Sequence, residues 1–183
     1  MAILLVLTLG LAAPAQAGRA HPVPIKATVS GEHWVAPPDC DGAFQKWSSA
    51  GTGQMSHLGK VNYVLEQCTY FGEPFPPDYV YGEGTITFTA ANGDTLVIAQ
   101  EGTGEIVFDG PNTVGFLGEG TWTVVEGEGT GRFANANGEG SMDFLGDIPE
   151  TSGGIGTVFG LPDGIAVLNF KGAITYNASD RSK

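Results

Sequence analysis

The phrase Gly-Glu-Gly followed by Thr or Ser occurs four times, as GEGTITF at 82–88, GEGTWTV at 118–124, GEGTGRF at 127–133 and GEGSMDF at 138–144. In three copies the residues sort with a period of 2, the signature of a strand, whose successive side chains point to opposite faces. At 82–88, Gly82, Gly84, Ile86 and Phe88 share one face and Glu83, Thr85 and Thr87 the other. At 118–124 the division is Gly118, Gly120, Trp122 and Val124 against Glu119, Thr121 and Thr123; at 138–144 it is Gly138, Gly140, Met142 and Phe144 against Glu139, Ser141 and Asp143. The inner face is vacant at one end of each copy and bulky at the other, which suits strands entering a tapering or strongly coiled barrel. The copies start 36, 9 and 11 residues apart, so no fixed period points to a solenoid. The remaining copy, at 127–133, runs into GRFANA, a turn in place of a strand.

The same periodicity predicts further strands at 25–31, 54–70, 94–100, 104–109 and 164–176, with the copies embedded in strands over 80–90, 113–126 and 138–145. Residues 33–53 read as irregular and 146–163 as a long late connection. Asn92-Gly93 marks a hairpin because both residues tolerate positive φ, and DGPN at 109–112 is a second turn. Only residues 131–136 invite helix, about one turn. The expectation is an all-β chain, an eight-stranded antiparallel calycin-like β-barrel with little helix, closure removing strand edges that would otherwise pair with other chains. A two-sheet sandwich is the alternative.

The domain plan is a signal peptide at 1–17, a flexible tail at 18–24, one barrel domain at 25–177 and a C-terminal tail at 178–183. The leader rests on the apolar run 3–13 followed by Pro14 and Ala15-Gln16-Ala17, the small-x-small pattern cut by signal peptidase. That run is shorter than the roughly 20 residues of a spanning helix, so stable membrane insertion is not expected. Export to the periplasm or medium agrees with two cysteines, Cys40 and Cys68, which can form one bridge in an oxidising compartment. Such a bridge is worth roughly 3 to 4 kcal/mol on a chain-entropy estimate. The formal charge of −12, with eight Lys and Arg, argues against nucleic acid, which needs clustered cations.

Metal and cofactor chemistry find little support. His21, His33 and His57 do not sit at zinc-finger spacing, and one outward Glu per GEGT copy does not make a calcium loop. GTGRFA at 129–134 formally fits a dinucleotide fingerprint but lacks the βαβ unit that gives it meaning. No metal and no cofactor is expected. The lumen candidates are His57, Tyr63, Phe88, Trp122, Phe144 and Tyr176. His57, in phase with Met55, Val61, Tyr63 and Leu65, is either an acid, base or donor to a ligand or a hydrogen-bonded structural histidine. Tyr63 and Tyr176 are polar handles in a pocket or core aromatics with a partnered hydroxyl. Arg132 binds an anion or pairs with a neighbouring carboxylate and pins its turn. Glu66, Glu101 and Glu105 as a glycosidase pair would need a facing geometry that spacing does not supply.

Residues 123–144, TVVEGEGTGRFANANGEGSMDF, resemble the segment of dirigent proteins and allene oxide cyclases in which a strand runs into a glycine-bracketed turn and a further glycine opens the next strand. MSHLGK at 55–60, AANGDTL at 90–96 and FKGAITY at 170–176 are similar to exported bacterial members of that barrel superfamily. The resemblance implies a barrel with an apolar lumen and, as in the plant relatives, a trimer. Gly129, Gly131 and Phe133 align as turn and packing positions and Arg132 as the variable place in the turn. The functional expectation is an exported barrel binding a small apolar or amphipathic ligand in its lumen. The alternatives are a lumenal isomerase or cyclase, and a non-enzymatic envelope or matrix protein whose outer Thr and Glu face makes the contacts. Non-reducing intact-mass measurement of the protein exported by its own host is expected to give a chain beginning at Gly18 with both cysteines oxidised; a retained leader or two free thiols would refute the export assignment.

Overall fold

The computed structural model describes residues 21–71, 78–109, 112–147 and 162–176. The leader, residues 18–20 of the tail at 18–24, the bulk of the 146–163 connection and the C-terminal tail lie outside the described residues. Eight strands follow one another: β1 Val23–Ala36, β2 Gln45–Met55, β3 Gly59–Phe71, β4 Asp78–Ala90, β5 Thr95–Asp109, β6 Asn112–Val124, β7 Asn137–Asp147 and β8 Pro162–Thr175. Each pairs antiparallel with the next, and β1 closes on β8, giving an up-and-down barrel in place of a sandwich. A 3-10 turn at Gly131–Phe133 is the helical element among the described residues. We call the end at which β1 begins the lower end.

Several strands are longer than their periodicity predicts. β1 starts at Val23, paired with Ile174, so the flexible tail is shorter than expected, and it continues through His33 and Val35 to Ala36. The stretch expected to be irregular, 33–53, therefore contains the end of β1 and all of β2 but its last two residues, and the Ser and Gly residues of β2 weaken the alternating signal. Residues 54–70 are not one strand: His57, at φ +67°, sits in the turn between β2 and β3. Conversely, the two strands expected at 94–100 and 104–109 are one, β5. In β4 a bulge between Tyr81 and Gly84, with Glu83 at φ +48°, adds a residue to one side of the ladder. This turns Tyr81 inward and Gly82 outward, so Gly82 does not share the inner face with Gly84 as the alternation implied; the extra residue of a bulge reverses the phase.

An eight-stranded barrel is just wide enough for side chains to fill, and here the inner glycines decide how. A side chain on Gly104 would run into the Tyr79 ring, on Gly102 or Gly120 into the Tyr81 hydroxyl, and on Gly118 into the Phe144 ring. Gly146 lies against Phe116, and Gly140 and Gly172 against Trp122. The vacant ends of the GEGT strands at 118–124 and 138–144 are thus occupied by aromatic rings from other strands, at Gly118, Gly120 and Gly140, whereas Gly84 of the 82–88 copy faces Gln67. In the lower half Ile25, Val61, Ile86, Phe88, Leu96, Ile98, Phe170 and Ile174 pack together, with Phe88 and Phe170 edge to face at 5.3 Å.

The GTGRFA turn stoppers the lower end. Phe133 is buried and stands 5.0 Å from the Tyr176 ring, Thr130 exchanges hydrogen bonds with Thr95, and Arg132 meets Asp94 at 3.5 Å. Gly131, at φ +57°, takes the left-handed conformation beside Asp94. At the upper end Cys40 and Cys68 are bridged across a Cα separation of 6.3 Å, tying the 37–44 connection to β3. Lys46 braces it further, at 2.9 Å from Asp39 and 3.1 Å from Glu66.

The ring-on-glycine packing has a measurable consequence. Gly104→Ala is expected to cost about 1 to 3 kcal/mol in urea unfolding by overpacking against Tyr79. Gly82→Ala, whose new methyl would find only the Glu101 Cβ at 3.9 Å, is expected to stay within about 0.5 kcal/mol of the parent.

Candidate functional site

Apart from Ser48, which lies on the opposite face of β2 from Gln45 and Ser49, the buried polar side chains among the described residues lie in the upper half of the interior. His33 comes from β1, Gln45 and Ser49 from β2, Gln67 and Thr69 from β3 and Gln100 from β5, each 5% exposed or less. Tyr63, Tyr79 and Tyr81 add three hydroxyls and Trp47 an indole N–H. They converge because they continue apolar alternations: Val61, Tyr63, Leu65, Gln67 and Thr69 share one face of β3, as do Leu96, Ile98 and Gln100 on β5.

Part of this set is internally satisfied. Tyr63 donates to Ser49 Oγ at 2.7 Å, and Ser49 donates onward to the Glu32 carbonyl at 2.9 Å. Gln100 Nε2 donates to Gln67 Oε1. His33 Nε2 donates to the Asp147 carbonyl at 2.9 Å, which leaves Nδ1 unprotonated in the neutral ring. The imidazole is packed edge-on between Trp47 at 5.5 Å and Phe116 at 4.9 Å. Burial lowers its pKa, with the Asp147 carbonyl and carboxylate opposing the shift. Burial likewise raises Tyr63, Tyr79 and Tyr81, so all three are neutral phenols. Other atoms in the same region have no partner: Gln45 Oε1, Trp47 Nε1, Thr69 Oγ1, Tyr81 OH and Gln100 Oε1. The space walled by Trp47, Ser49, Leu65, Gln67, Met142, Phe144, Ala166 and Leu168 is about 10 Å³, room for about one water.

The six residues expected in the lumen separate. Tyr63 and Phe144 are in the upper interior. Phe88 and Trp122 are lower and central core, the indole N–H of Trp122 donating to the Ser141 carbonyl at 3.0 Å. His57 is exposed on the turn below the barrel, hydrogen-bonded to the Pro24 carbonyl at 3.0 Å, with Tyr176 beside it at 5.8 Å. A turn residue has no defined phase with the strands it joins, which is why alternation misassigned His57. His33, the imidazole that is inside, was legible in the phase of Ile25, Ala27, Val29 and Val35 but falls beyond the predicted end of the strand. Arg132 pairs with Asp94 and lies over the Phe133 ring at 4.9 Å, a pinning role. The one set of metal-ligand types with three gathered atoms among the described residues is Asp39, Cys40 and Cys68, two of which are spent in the disulfide.

Comparison with models of known protein families, with curated proteins and with solved structures gives no match to this chain.

Because His33 protonates less readily when folded than at its ordinary value of 6.5, the unfolded chain binds the extra proton first as pH falls. Stability is expected to decline as pH drops below about 6.5 until the folded-state pKa is passed. Urea titrations from pH 7.5 to 5 check this, and His33→Gln is expected to flatten the slope in that window.

Proposed function

We propose that the protein is a non-catalytic binder of a small neutral molecule, held at the polar, upper end of the barrel interior. The observation that carries the reading is the group of unpartnered buried atoms, Gln45 Oε1, Trp47 Nε1, Thr69 Oγ1 and Gln100 Oε1. An unpaired buried polar atom costs about 1 to 3 kcal/mol, so four together approach the whole stability of a domain, roughly 5 to 15 kcal/mol. A ligand offering both donors and acceptors offsets that cost. Neutrality follows from the wall: among the described residues no Asp, Glu, Lys or Arg is buried, and burial favours the uncharged His33. The space of about 10 Å³ means that the molecule must displace aromatic side chains such as Phe116 and Phe144, which rest on Gly146 and Gly118.

The isomerase or cyclase alternative, drawn from the resemblance to allene oxide cyclases and dirigent proteins, uses the same wall, with His33 Nδ1 as the group able to accept a proton. It asks more of the site, since the base has to touch the reacting atom. A periplasmic or secreted location agrees with the Cys40–Cys68 bridge. No helix among the described residues is long and apolar enough to cross a membrane, and the outward Glu and Thr of the wall oppose insertion as a lipid-facing barrel.

The test is native against denatured mass spectrometry of protein taken from its own host, followed by crystallography of the same sample. A small neutral adduct released on denaturation, and diminished in Gln100→Leu, is the expected result. Absence of any adduct, with ordered waters on all four orphan atoms, would overturn the reading.

A further inference from the structure

The outer face of β4 to β7 carries two adjoining open hollows of about 820 and 800 Å³, which share Val80, Thr103, Glu119 and Asp143. Their floors contain the glycines whose inner sides receive the aromatic rings, Gly102 and Gly120 in one and Gly104 and Gly118 in the other. Because these residues carry no side chain of their own, only backbone separates the hollows from the rings inside. The Tyr81 hydroxyl, buried and unpartnered, lies beneath the floor against Gly102 and Gly120.

Two kinds of side chain rim the hollows. Val80, Leu117 and Leu145 are large, apolar and 46 to 58% exposed, and Leu117 pairs directly with Leu145 across the β6–β7 ladder. Interleaved with them stand Asp78, Glu83, Glu101, Glu105, Glu119 and Asp143, all exposed. No Lys or Arg lines either hollow, and none of the six carboxylates forms a salt bridge among the described residues. Tyr70 donates to Glu83 and Asn169 to Asp143; both donors are neutral and leave the charge uncompensated.

We propose that this trough is a docking groove for a Lys- and Arg-rich polypeptide segment carrying apolar side chains between its cations. The carboxylates are spread over four strands, and no three of their oxygens gather within the 4.8 Å that would hold a metal ion, so the pattern fits a string of separated positive charges. A second copy of this chain is a poor occupant, because each brings a formal charge of −12. Nucleic acid is excluded by the same sign. A basic segment supplies opposite charge for encounter, and its apolar residues cover Val80, Leu117 and Leu145.

The probe is a fluorescein-labelled decapeptide of alternating Lys and Leu, titrated with the mature protein and read by fluorescence anisotropy. Saturable binding is expected, weakening at least tenfold as salt rises from 0.05 to 0.5 M through screening. It is expected to weaken at least tenfold in Glu101→Gln/Glu119→Gln/Asp143→Asn. The control Glu32→Gln/Glu126→Gln/Glu128→Gln removes the same charge from positions outside the trough and is expected to change affinity less than threefold. Equal loss in both triple variants would reduce the effect to net charge and overturn the groove, as would unchanged binding in the trough variant. All six positions are exposed, and circular dichroism on each variant verifies that the barrel is intact.

Discussion

Seven inner glycines, each taking the ring of an aromatic residue from a strand one or two places away, set the form of this barrel. Tyr79 lies on Gly104, Tyr81 on Gly102 and Gly120, Phe144 on Gly118, Phe116 on Gly146, and Trp122 on Gly140 and Gly172. A β-carbon at any of these positions has no room, because interiors packed at crystal-like density do not absorb an added atom without displacement. The contact works in both directions: glycine admits the ring, and the ring supplies the burial that glycine lacks. The interior becomes nearly solid as a result. The outer surface acquires hollows over the same residues, since a wall of bare backbone has nothing to raise it.

The interior so formed is divided along its axis. The lower half is apolar and stoppered by Phe133, with Thr130, Gly131 and Arg132 holding the plug to the start of β5. The upper half collects an imidazole, amides, hydroxyls and an indole N–H in a setting where an unmatched polar group is costly. A chain selected only for stability would extend the lower pattern upward. The orphan atoms at Gln45, Trp47, Thr69 and Gln100 all lie in that upper half. The acidic trough outside β4 to β7 is a separate feature with its own chemistry, lying over the glycines that form its floor.

Much of the fold was legible before any coordinates. Alternation located four of the eight strands, β4, β6, β7 and β8, nearly to their ends, and the departure of GEGTGRF from that alternation located the turn that forms the plug. The errors have definite causes. β2, rich in Ser and Gly, carries no strong apolar alternation, so it read as irregular. A turn at 56–58 preserves phase by accident, so His57 read as inward. The bulge at Gly82–Glu83 shifts phase by one residue, so Tyr81 was overlooked. Strand faces are inferred by counting, and counting fails wherever the backbone adds a residue or turns a corner.

The sequence by itself determined the all-β architecture, the inward glycines, the outward Glu and Thr, and the pairing available to its two cysteines, because these follow from side-chain period and composition. Only the tertiary structure decided what fills the places the glycines leave. Pattern says that a position is small; it cannot say which ring from another strand lies across it. That depends on register and closure, contacts between residues far apart in the chain, and the same contacts chose His33 over His57 as the buried imidazole.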